Sequence, residues 1–347
     1  MTKQAQRMDR RRFLGGLALS AGAVGLGAVS RPAGSQTSAV TRATSSSNRG
    51  AHNMIVITTP TGNIGKQVLA NVLDSGVPIR VIVRDPSSLP AQIRSRIEVV
   101  QGSHGDSDTV NRAFEGADSV FWLCPPNPRA ESVEAAYLDF TRPACEAIRS
   151  QGVKRVVGVS ALGRGTAIAK KAGFVTASLA MDDMIANTGV AFRALAMPSF
   201  MDNILRQVEP IRSQGVFFSP IAGDRKLPSC ATRDIAAVAA RLLLDSSWTG
   251  RGSVAVLGPE DLSFNDMARI MSEVLGKPVR FQQITGEAHK ANLIRHGMSD
   301  AVAQGMLEMA MAKNEGLDNA EPRTSQSSTS TTFRQWCEEV LKPAVRG

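Results

Sequence analysis

The sequence predicts an α/β protein with a doubly wound parallel sheet and a smaller C-terminal subdomain. Short apolar runs alternate with amphipathic helical segments, and a glycine-bearing turn joins the first run to the first helix. The composition is that of an ordinary globular chain, with 43% hydrophobic and 20% charged residues among 347. Because the apolar runs are continuous, they suit parallel strands that are covered on both faces. We expect one folded domain over residues 52–321.

The first unit reads as a strand at residues 54–57, a turn, a helix and a second strand at residues 79–83. The N-terminus of a helix presents unpaired N–H groups and a positive dipole end, which favour an anion. Gly62 lets the backbone approach a phosphate, and Gly65 lets the helix pack on the strand. The turn therefore predicts a dinucleotide site. Its expected residues are Thr59, Thr61, Gly62, Asn63, Ile64 and Gly65.

Arg84 directly follows the second predicted strand. In Rossmann-type folds an acidic residue here binds the ribose 2′-hydroxyl of NAD, whereas a nearby arginine accommodates the 2′-phosphate of NADP. Val83 is not acidic, and Arg84 is available. We predict NADP(H) as the cofactor, with NAD(H) as the alternative. The alternative interpretation is that Arg84 is an ordinary solvated arginine without a role in binding.

The turn resembles that of NmrA-like proteins, which are atypical short-chain dehydrogenases. Residues 61–65 match the TGxxG part of the family's GATGxxG pattern, but Thr59 stands at the first glycine and Pro60 at the alanine. Pro60 has no N–H. If that donor normally meets a phosphate, its loss costs about 1.5–3 kcal/mol. The resemblance covers about residues 54–285.

The resemblance also implies which strand ends lie beside the cofactor. It places Cys124 and Pro125, at the end of the predicted strand that starts at Ala117, next to the dinucleotide. It places Ser160 at a strand end that faces the nicotinamide, and an ordinary strand-ending serine is the alternative. Phe200 and Asn203 lie in a segment similar to the family's "RPgfFmeN" and are expected on the substrate side.

In this division of the domain, residues of about 52–195 hold the dinucleotide and residues of about 196–321 form the substrate side. Residues 322–332 are rich in serine and threonine and predict a linker, and a short amphipathic helix follows to residue 341. We also expect a long helix from about residue 129 to 150, with a kink at Pro143.

The Tyr-x-x-x-Lys pair of short-chain dehydrogenases is absent. Tyr137 is the single tyrosine, and residue 141 is threonine. The lysine that NmrA-like proteins often keep falls near Ser178, and no catalytic residue is assigned. The chain is therefore expected to transfer hydride from NADPH to a small quinone-like or carbonyl acceptor that needs little acid help. The alternative is a non-catalytic sensor or regulatory protein that binds NAD(P)(H).

The net charge of +9 is concentrated in residues 1–50, which carry eight basic residues and one acidic residue. The remaining chain is nearly neutral, so it lacks the basic surface that nucleic acid requires. Four widely spaced cysteines and no Cys/His cluster predict no metal site. We expect these thiols to be free. Two acidic or hydroxyl residues, Asp234 and Ser263, are expected to cap helices.

The N-terminus resembles a twin-arginine signal, with Arg10, Arg11 and Phe13 before a weakly apolar stretch. We expect residues 1–35 to be this signal and residues 36–51 to be a flexible linker. The protein would then be exported to the periplasm or beyond by the twin-arginine machinery, with no stable membrane anchor after cleavage. A disordered basic tail is the alternative.

Overall fold

The structure is a computed structural model that describes residues 53–347. The predicted signal at residues 1–35 and the predicted linker at residues 36–51 lie outside the described residues. Across residues 53–347, no helix combines the length and the apolar character that a membrane span needs. All four cysteines of the sequence lie in this part, and each is a free thiol.

Strands and helices alternate along the described chain. The strands are β1 (Met54–Ile57), β2 (Ile79–Val83), β3 (Glu98–Gln101), β4 (Ala117–Trp122), β5 (Arg155–Ala161), β6 (Ala191–Met197), β7 (Ser199–Phe200), β8 (Val216–Ser219), β9 (Leu227–Cys230), β10 (Arg251–Ala255), β11 (Asp261–Leu262) and β12 (Arg280–Gln283). The α-helices are α1 (Gly65–Val72), α2 (Ala91–Arg94), α3 (Ser107–Phe114), α4 (Phe140–Gln151), α5 (Phe174–Ala186), α6 (Val208–Gln214), α7 (Thr232–Leu244), α8 (Phe264–Leu275), α9 (Gly286–Arg295), α10 (Asp300–Asn314), α11 (Phe333–Trp336) and α12 (Lys342–Arg346).

A seven-stranded parallel sheet forms the centre, in the order β10-β6-β5-β4-β1-β2-β3. All residues of β1 and β4 are buried, as expected for strands covered on both faces. Helices α1 and α7 pack on one face, and α3, α4 and α5 pack on the other. The predicted doubly wound α/β fold is confirmed, and the strand order reverses between β1 and β4.

The helix predicted from residue 129 differs from the observed one. Helical structure starts at Val133, and a π-helical turn at Ala135–Asp139 precedes α4. Pro143 lies inside α4 and has no N–H to donate to the carbonyl oxygen of Asp139, four residues earlier. The π-helical turn ends at this same Asp139, one helical turn before Pro143. The kink at Pro143 stays a prediction.

The smaller subdomain holds a three-stranded sheet (β11-β9-β7) and a two-stranded parallel sheet (β12-β8). Its core lies between α6, α8 and the C-terminal helices, with Phe333 and Trp336 fully buried. Ser263 caps α8 as predicted: it forms a capping box with Asp266, and α8 ends at Gly276 in the left-handed conformation (φ 67°).

Residues 322–332, predicted as a linker, are bonded to the domain. Leu257 donates its N–H to the carbonyl oxygen of Ser327 (2.7 Å) and accepts from the N–H of Thr329 (2.7 Å). Thr331 is buried and donates its hydroxyl to Asp234 (2.7 Å). These serine and threonine groups are satisfied by protein partners instead of water, so the segment belongs to the folded unit.

Asp234 does not cap its own helix, contrary to the sequence prediction. Ala231 is the N-cap residue of α7 and supplies no side-chain bond. The N–H of Thr232 instead donates to the carboxylate of Asp202 (3.1 Å), which also accepts the hydroxyl of Thr232 (3.0 Å). Asp234 therefore anchors the C-terminal segment through Thr331.

Candidate active site

The carboxyl ends of parallel strands meet at one edge of a sheet, and the predicted site residues follow this rule. The glycine turn at residues 59–65 comes after β1, Arg84 after β2, and Cys124 after β4, while Ser160 lies near the end of β5. Ligands of open α/β sheets bind at the point where the strand order reverses, which is here the crevice between β1 and β4. The structure thus brings the predicted cofactor residues to one edge.

Thr58 joins the two strands that border this crevice. Its buried hydroxyl donates to the carbonyl oxygen of Phe121 (2.9 Å) and accepts from the N–H of Leu123 (3.0 Å). This pair of hydrogen bonds links the ends of β1 and β4 at the base of the crevice. The sequence analysis missed Thr58, because a threonine after a strand carries no signal of a partner 63 residues away.

The turn after β1 brings the backbone close to the start of α1. The N–H of Gly62 donates to the carbonyl oxygen of Thr59 (3.0 Å). A side chain on Gly65 would overlap that same carbonyl oxygen, so Gly65 permits the close packing of helix and strand. Ile64 stands at the N-cap position, and no side chain caps α1. The N-terminus of α1 is therefore open to an anionic ligand.

Thr59 has an unusual conformation in this turn. Its φ is +51°, the single positive φ of a non-glycine residue among residues 53–347. Its hydroxyl is buried and lacks a hydrogen-bond partner within the described residues. A Cβ built on Gly62 would lie 4.0 Å from this hydroxyl, so the hydroxyl borders the surface over Gly62. An unsatisfied donor beside an uncapped helix N-terminus fits a diphosphate and offers a substitute for the N–H that Pro60 lacks.

The other residues of the turn leave this surface accessible. Thr61 and Asn63 are exposed, Gly62 is half-buried, and Pro60 is buried. The carbonyl oxygen of Asn63 accepts from the side chain of Gln67 (2.6 Å), which holds the turn against α1.

Arg84 is exposed at the end of β2, and its guanidinium forms no salt bridge within residues 53–347. The carboxylate of the neighbouring Asp85 is directed at Ser87 instead, from which it accepts the N–H (2.9 Å) and the hydroxyl (2.7 Å). These two hydrogen bonds hold the pKa of Asp85 below its usual value. Arg84 is thus available for a 2′-phosphate.

Cys124 follows β4, and its thiol donates to the carbonyl oxygen of Ala136 in the π-helical turn (3.1 Å). Burial raises the pKa of Cys124 to about 12. The thiol therefore stays protonated and does not act as a nucleophile at neutral pH. Pro125 is half-buried beside it. Together they shape the wall of the crevice after β4.

Ser160 belongs to a cluster that the sequence analysis did not find. Its hydroxyl donates to the carboxylate of Asp182 on α5, and both residues are buried. Arg164 donates to the same carboxylate (3.1 Å) and to Asp183 (2.8 Å). Burial raises the pKa of Asp182 to about 6, although the bonds from Ser160 and Arg164 oppose the shift. Ser178, where a lysine was sought, lies one helical turn before Asp182.

Tyr137 lies at the same end of the sheet. It is part of the π-helical turn, and its ring meets that of Phe174 edge-on with centroids 5.8 Å apart. Burial, together with the nearby Cys124 and Asp182, raises its pKa above the usual value. The phenol is therefore neutral at physiological pH.

The predicted substrate-side residues follow β6. Phe200 is half-buried in β7 and packs against the main core, and Asn203 is exposed in the 3₁₀-helical stretch Met201–Gln207. The described residues contain no group of three or more His, Cys, Asp or Glu side chains that could hold a metal ion. A site at this edge is thus built from hydroxyls, one buried carboxyl, one free arginine and apolar walls.

The fold and this edge define a Rossmann-type protein with a nucleotide crevice at its switch point. Residues 51–338 match the NmrA-like family, and the chain belongs to that family. The predicted family is thereby confirmed.

Three similar proteins are reductases by name. A (4-alkanoyl-5-oxo-2,5-dihydrofuran-3-yl)methyl phosphate reductase of Streptomyces griseus is 30% identical, over 82% of this chain and 97% of the relative. An NAD(P)H azoreductase of Xenophilus azovorans is 27% identical, over 74% of this chain and 86% of the relative. An NADPH-dependent quinone oxidoreductase of Escherichia coli, solved with NADPH, superposes with a TM-score of 0.67 at 24% identity and covers 81% of this chain and 98% of that chain.

Proposed function

We propose that this protein is an NADPH-dependent reductase of a small quinone-like or carbonyl acceptor. The observation that carries the proposal is the uncapped N-terminus of α1 at the switch point, beside the unsatisfied hydroxyl of Thr59. Membership of the NmrA-like family and the reductase relatives support an oxidoreductase. When bound, the reduced nicotinamide supplies a hydride.

Each part of the dinucleotide has residues suited to hold it. The surface over Gly62 and the hydroxyl of Thr59 would hold the diphosphate at the N-terminus of α1. Arg84 would pair with the 2′-phosphate at the end of β2, which would favour NADPH over NADH. Cys124 and Ser160, at the ends of β4 and β5, would line the part of the crevice that takes the nicotinamide half.

The smaller subdomain would supply the surface on which the acceptor meets the nicotinamide. Phe200 offers an apolar surface, and Asn203 offers an amide that can bind a carbonyl oxygen. The buried and half-buried side chains after β4 limit the access of water to the reacting atoms.

The proposal is tested by stopped-flow oxidation of NADPH with a panel of quinones and small carbonyl compounds, beside direct titration of NADPH and NADH by protein fluorescence. We expect binding of NADPH tighter than that of NADH, and turnover with at least one class of acceptor. Absence of NADPH binding would overturn the proposal.

A non-catalytic NAD(P)(H) sensor is the second candidate. The observation that favours it is the missing Tyr-x-x-x-Lys pair, since Tyr137 is followed four residues later by Thr141. The same titration and turnover experiments separate the two: NADPH binding without reduction of any acceptor in the panel supports the sensor.

We propose further that the protein is exported by the twin-arginine route, which the residues around Arg10 and Arg11 support. This route carries folded proteins, so NADPH bound in the cytosol can cross with the domain. Replacement of both arginines by lysine is expected to retain the protein in the cytosol, as measured by fractionation. Export that is unchanged in this variant and in a strain without the machinery would contradict the proposal.

A further inference from the structure

We infer that Ser160 donates the proton that the reduced acceptor needs, and that Asp182 is the positioning residue that resupplies this proton through the Ser160 hydroxyl. The inference rests on the proposed reductase function and names its proton source. It also narrows the acceptor class to compounds whose hydride reduction leaves a negative charge on oxygen or nitrogen, such as quinones, carbonyl compounds and azo compounds.

The position of the pair within the fold is the first argument. In the Rossmann arrangement the adenosine lies toward β2 and the nicotinamide toward β4 and β5. Ser160 is the next-to-last residue of β5, which ends at Ala161, so its hydroxyl lies at the edge where the nicotinamide and acceptor meet. Asp182 reaches this edge from α5, which packs along β5.

The hydrogen bonds of Asp182 are the second argument. One carboxylate oxygen accepts from both Ser160 and Arg164, and the other is buried without a partner within the described residues. A buried, half-satisfied carboxylate is costly when it is ionised. The carboxyl therefore takes up a proton more readily than an exposed aspartate, in accord with its raised pKa of about 6.

The protonation state decides what Ser160 can do. When Asp182 is ionised, the Ser160 hydroxyl donates to the carboxylate and is not free to donate elsewhere. When Asp182 is protonated, it can donate to the Ser160 oxygen, and the hydroxyl of Ser160 then turns to the acceptor. The neutral carboxyl is thus the active form, and its population falls as the pH rises through about 6.

The step balances as follows for a carbonyl acceptor. Its carbon gains the hydride from the reduced nicotinamide, and its C=O π pair moves onto oxygen. That oxygen takes the proton of Ser160, Ser160 takes the carboxyl proton of Asp182, and Asp182 is left as a carboxylate beside Arg164. The acceptor is reduced by two electrons, the dinucleotide is oxidised by two, and a solvent proton restores Asp182.

The charged groups around Asp182 determine the pH at which its carboxyl loses the proton. Arg164 lowers the pKa of Asp182, and the neighbouring Asp183 raises it. Tyr137 faces the carboxyl from the π-helical turn and stays neutral. The elements packed against α5 also carry the ionisable residues Asp139, Arg142, Cys145, Glu146, Arg149, Arg155, Lys170, Lys171, Arg193, Asp300, Glu308 and Lys313. The charges that act on the carboxyl are those of Arg164 and Asp183.

The pH profile of quinone reduction by the full-length protein with saturating NADPH tests the relay. For the wild type we expect kcat/KM to fall as the pH rises through about 6. Arg164→Gln removes an opposite charge and is expected to move the inflection upward by about one pH unit. Asp183→Asn removes a like charge and is expected to move the inflection to a lower pH. Both residues reach the surface, so these variants probe the carboxyl without a change in the core.

Variants of the pair itself provide the second arm. Ser160→Ala and Asp182→Asn are expected to lose the inflection, and Ser160→Ala lowers kcat about 100-fold, a usual contribution of a general acid. Tyr137→Phe is expected to keep the inflection. A lost inflection in Tyr137→Phe with a retained one in Ser160→Ala would overturn the relay and assign the proton to Tyr137.

A readout apart from turnover follows the same carboxyl. The difference in unfolding free energy between the wild type and Asp182→Asn is measured from pH 4 to 8. Its slope against pH should change near pH 6, and in the Arg164→Gln background this change should occur at a higher pH. Reduction that is independent of pH in the wild type refutes the relay and leaves the reductase function intact. Absence of any reduction refutes the reductase function, while the stability titration still reports on Asp182.

Discussion

The carbonyl oxygen of Thr59 occupies the space that a side chain at Gly65 would need, whereas the same oxygen lies 3.4 Å from a Cβ placed on Gly62. The two glycines of one turn therefore have different roles. Gly65 is required by the packing of the protein itself. Gly62 has room for a methyl group in the protein alone, so packing does not require its small size, and its proposed role is at the diphosphate.

Alanine at these two positions separates the roles. We expect Gly65→Ala to lower the free energy of unfolding by about 1–3 kcal/mol, because the methyl group overlaps backbone. We expect Gly62→Ala to leave stability within about 0.5 kcal/mol of the wild type and to weaken NADPH binding at least about tenfold. Thermal unfolding and fluorescence titration measure both, and equal effects of the two substitutions on stability would contradict this division.

The hydroxyl of Thr59 is predicted to act in opposite directions on stability and on affinity. Thr59→Val keeps the shape of the side chain and removes a buried, unpaired hydroxyl, so stability should be retained or rise. The dissociation constant of NADPH should increase about tenfold or more, since a hydrogen bond to a charged group contributes about 1.5–3 kcal/mol. Thr59→Ser is the matched control, and it should bind NADPH as the wild type does.

Arg84 is predicted to select the phosphorylated cofactor. Arg84→Gln should weaken NADPH binding about tenfold to a hundredfold, with little change for NADH, because only NADPH carries the 2′-phosphate. Arg96→Gln serves as the control, since Arg96 pairs with the exposed Asp74 on the surface. An equal loss for both dinucleotides in Arg84→Gln would assign Arg84 to a different part of the cofactor.

His104 is predicted to make the fold sensitive to acid. It is buried against Trp122 and Phe140, and burial lowers its pKa from 6.5 to about 4. The unfolded chain takes up a proton near pH 6.5, but the folded protein does not until about pH 4. His104 therefore leaves the free energy of unfolding unchanged above pH 6.5. It lowers that free energy by about 3 kcal/mol as the pH drops to 4.

The measurement is urea unfolding of the wild type and His104→Phe at several pH values. The variant loses the bond from the ring to the carbonyl oxygen of Leu123 (3.0 Å), which shifts its stability at every pH. The part of the slope of unfolding free energy against pH that His104 causes in the wild type, between pH 6.5 and 4, should be absent from the variant. Because other groups such as Asp182 also titrate in this range, the difference between the two proteins is the readout, and identical slopes in the wild type and the variant would show that His104 does not cause the acid sensitivity.

The C-terminal segment is predicted to be essential for the smaller subdomain. Removal of residues 322–347 takes away Phe333, Trp336 and Leu341, which are buried in its core. We expect the truncated chain to unfold or aggregate, and the milder Trp336→Ala to lower the free energy of unfolding by about 3–5 kcal/mol. Circular dichroism melts measure both, and a truncated protein with wild-type stability would favour a free linker.

The parts of the fold that were predicted from the sequence are those with local signals. The unit β1-α1-β2 is set by a continuous apolar run and two glycines, and the cap at Ser263 is completed by Asp266, three residues away. The pair Ser160 and Asp182 could not be found in this way. Its members are 22 residues apart, and a serine at a strand end and an aspartate within a helix are each commonplace.

The linker prediction for residues 322–332 failed for a different reason. The serine and threonine residues of this segment have the composition of a solvated linker. In the structure, the backbone of Leu257 and the carboxylate of Asp234 supply the partners that water would otherwise supply. Composition cannot distinguish these two outcomes, because both satisfy the same polar groups.

The burial of the four thiols has a consequence for their resistance to oxidation. Burial raises the pKa of each of them, to about 11 for Cys145 and about 12 for Cys124 and Cys337. Sulfur attacks oxidants and disulfides as the thiolate, which is scarce here. The four cysteines can therefore remain free thiols in reducing and in oxidising surroundings alike.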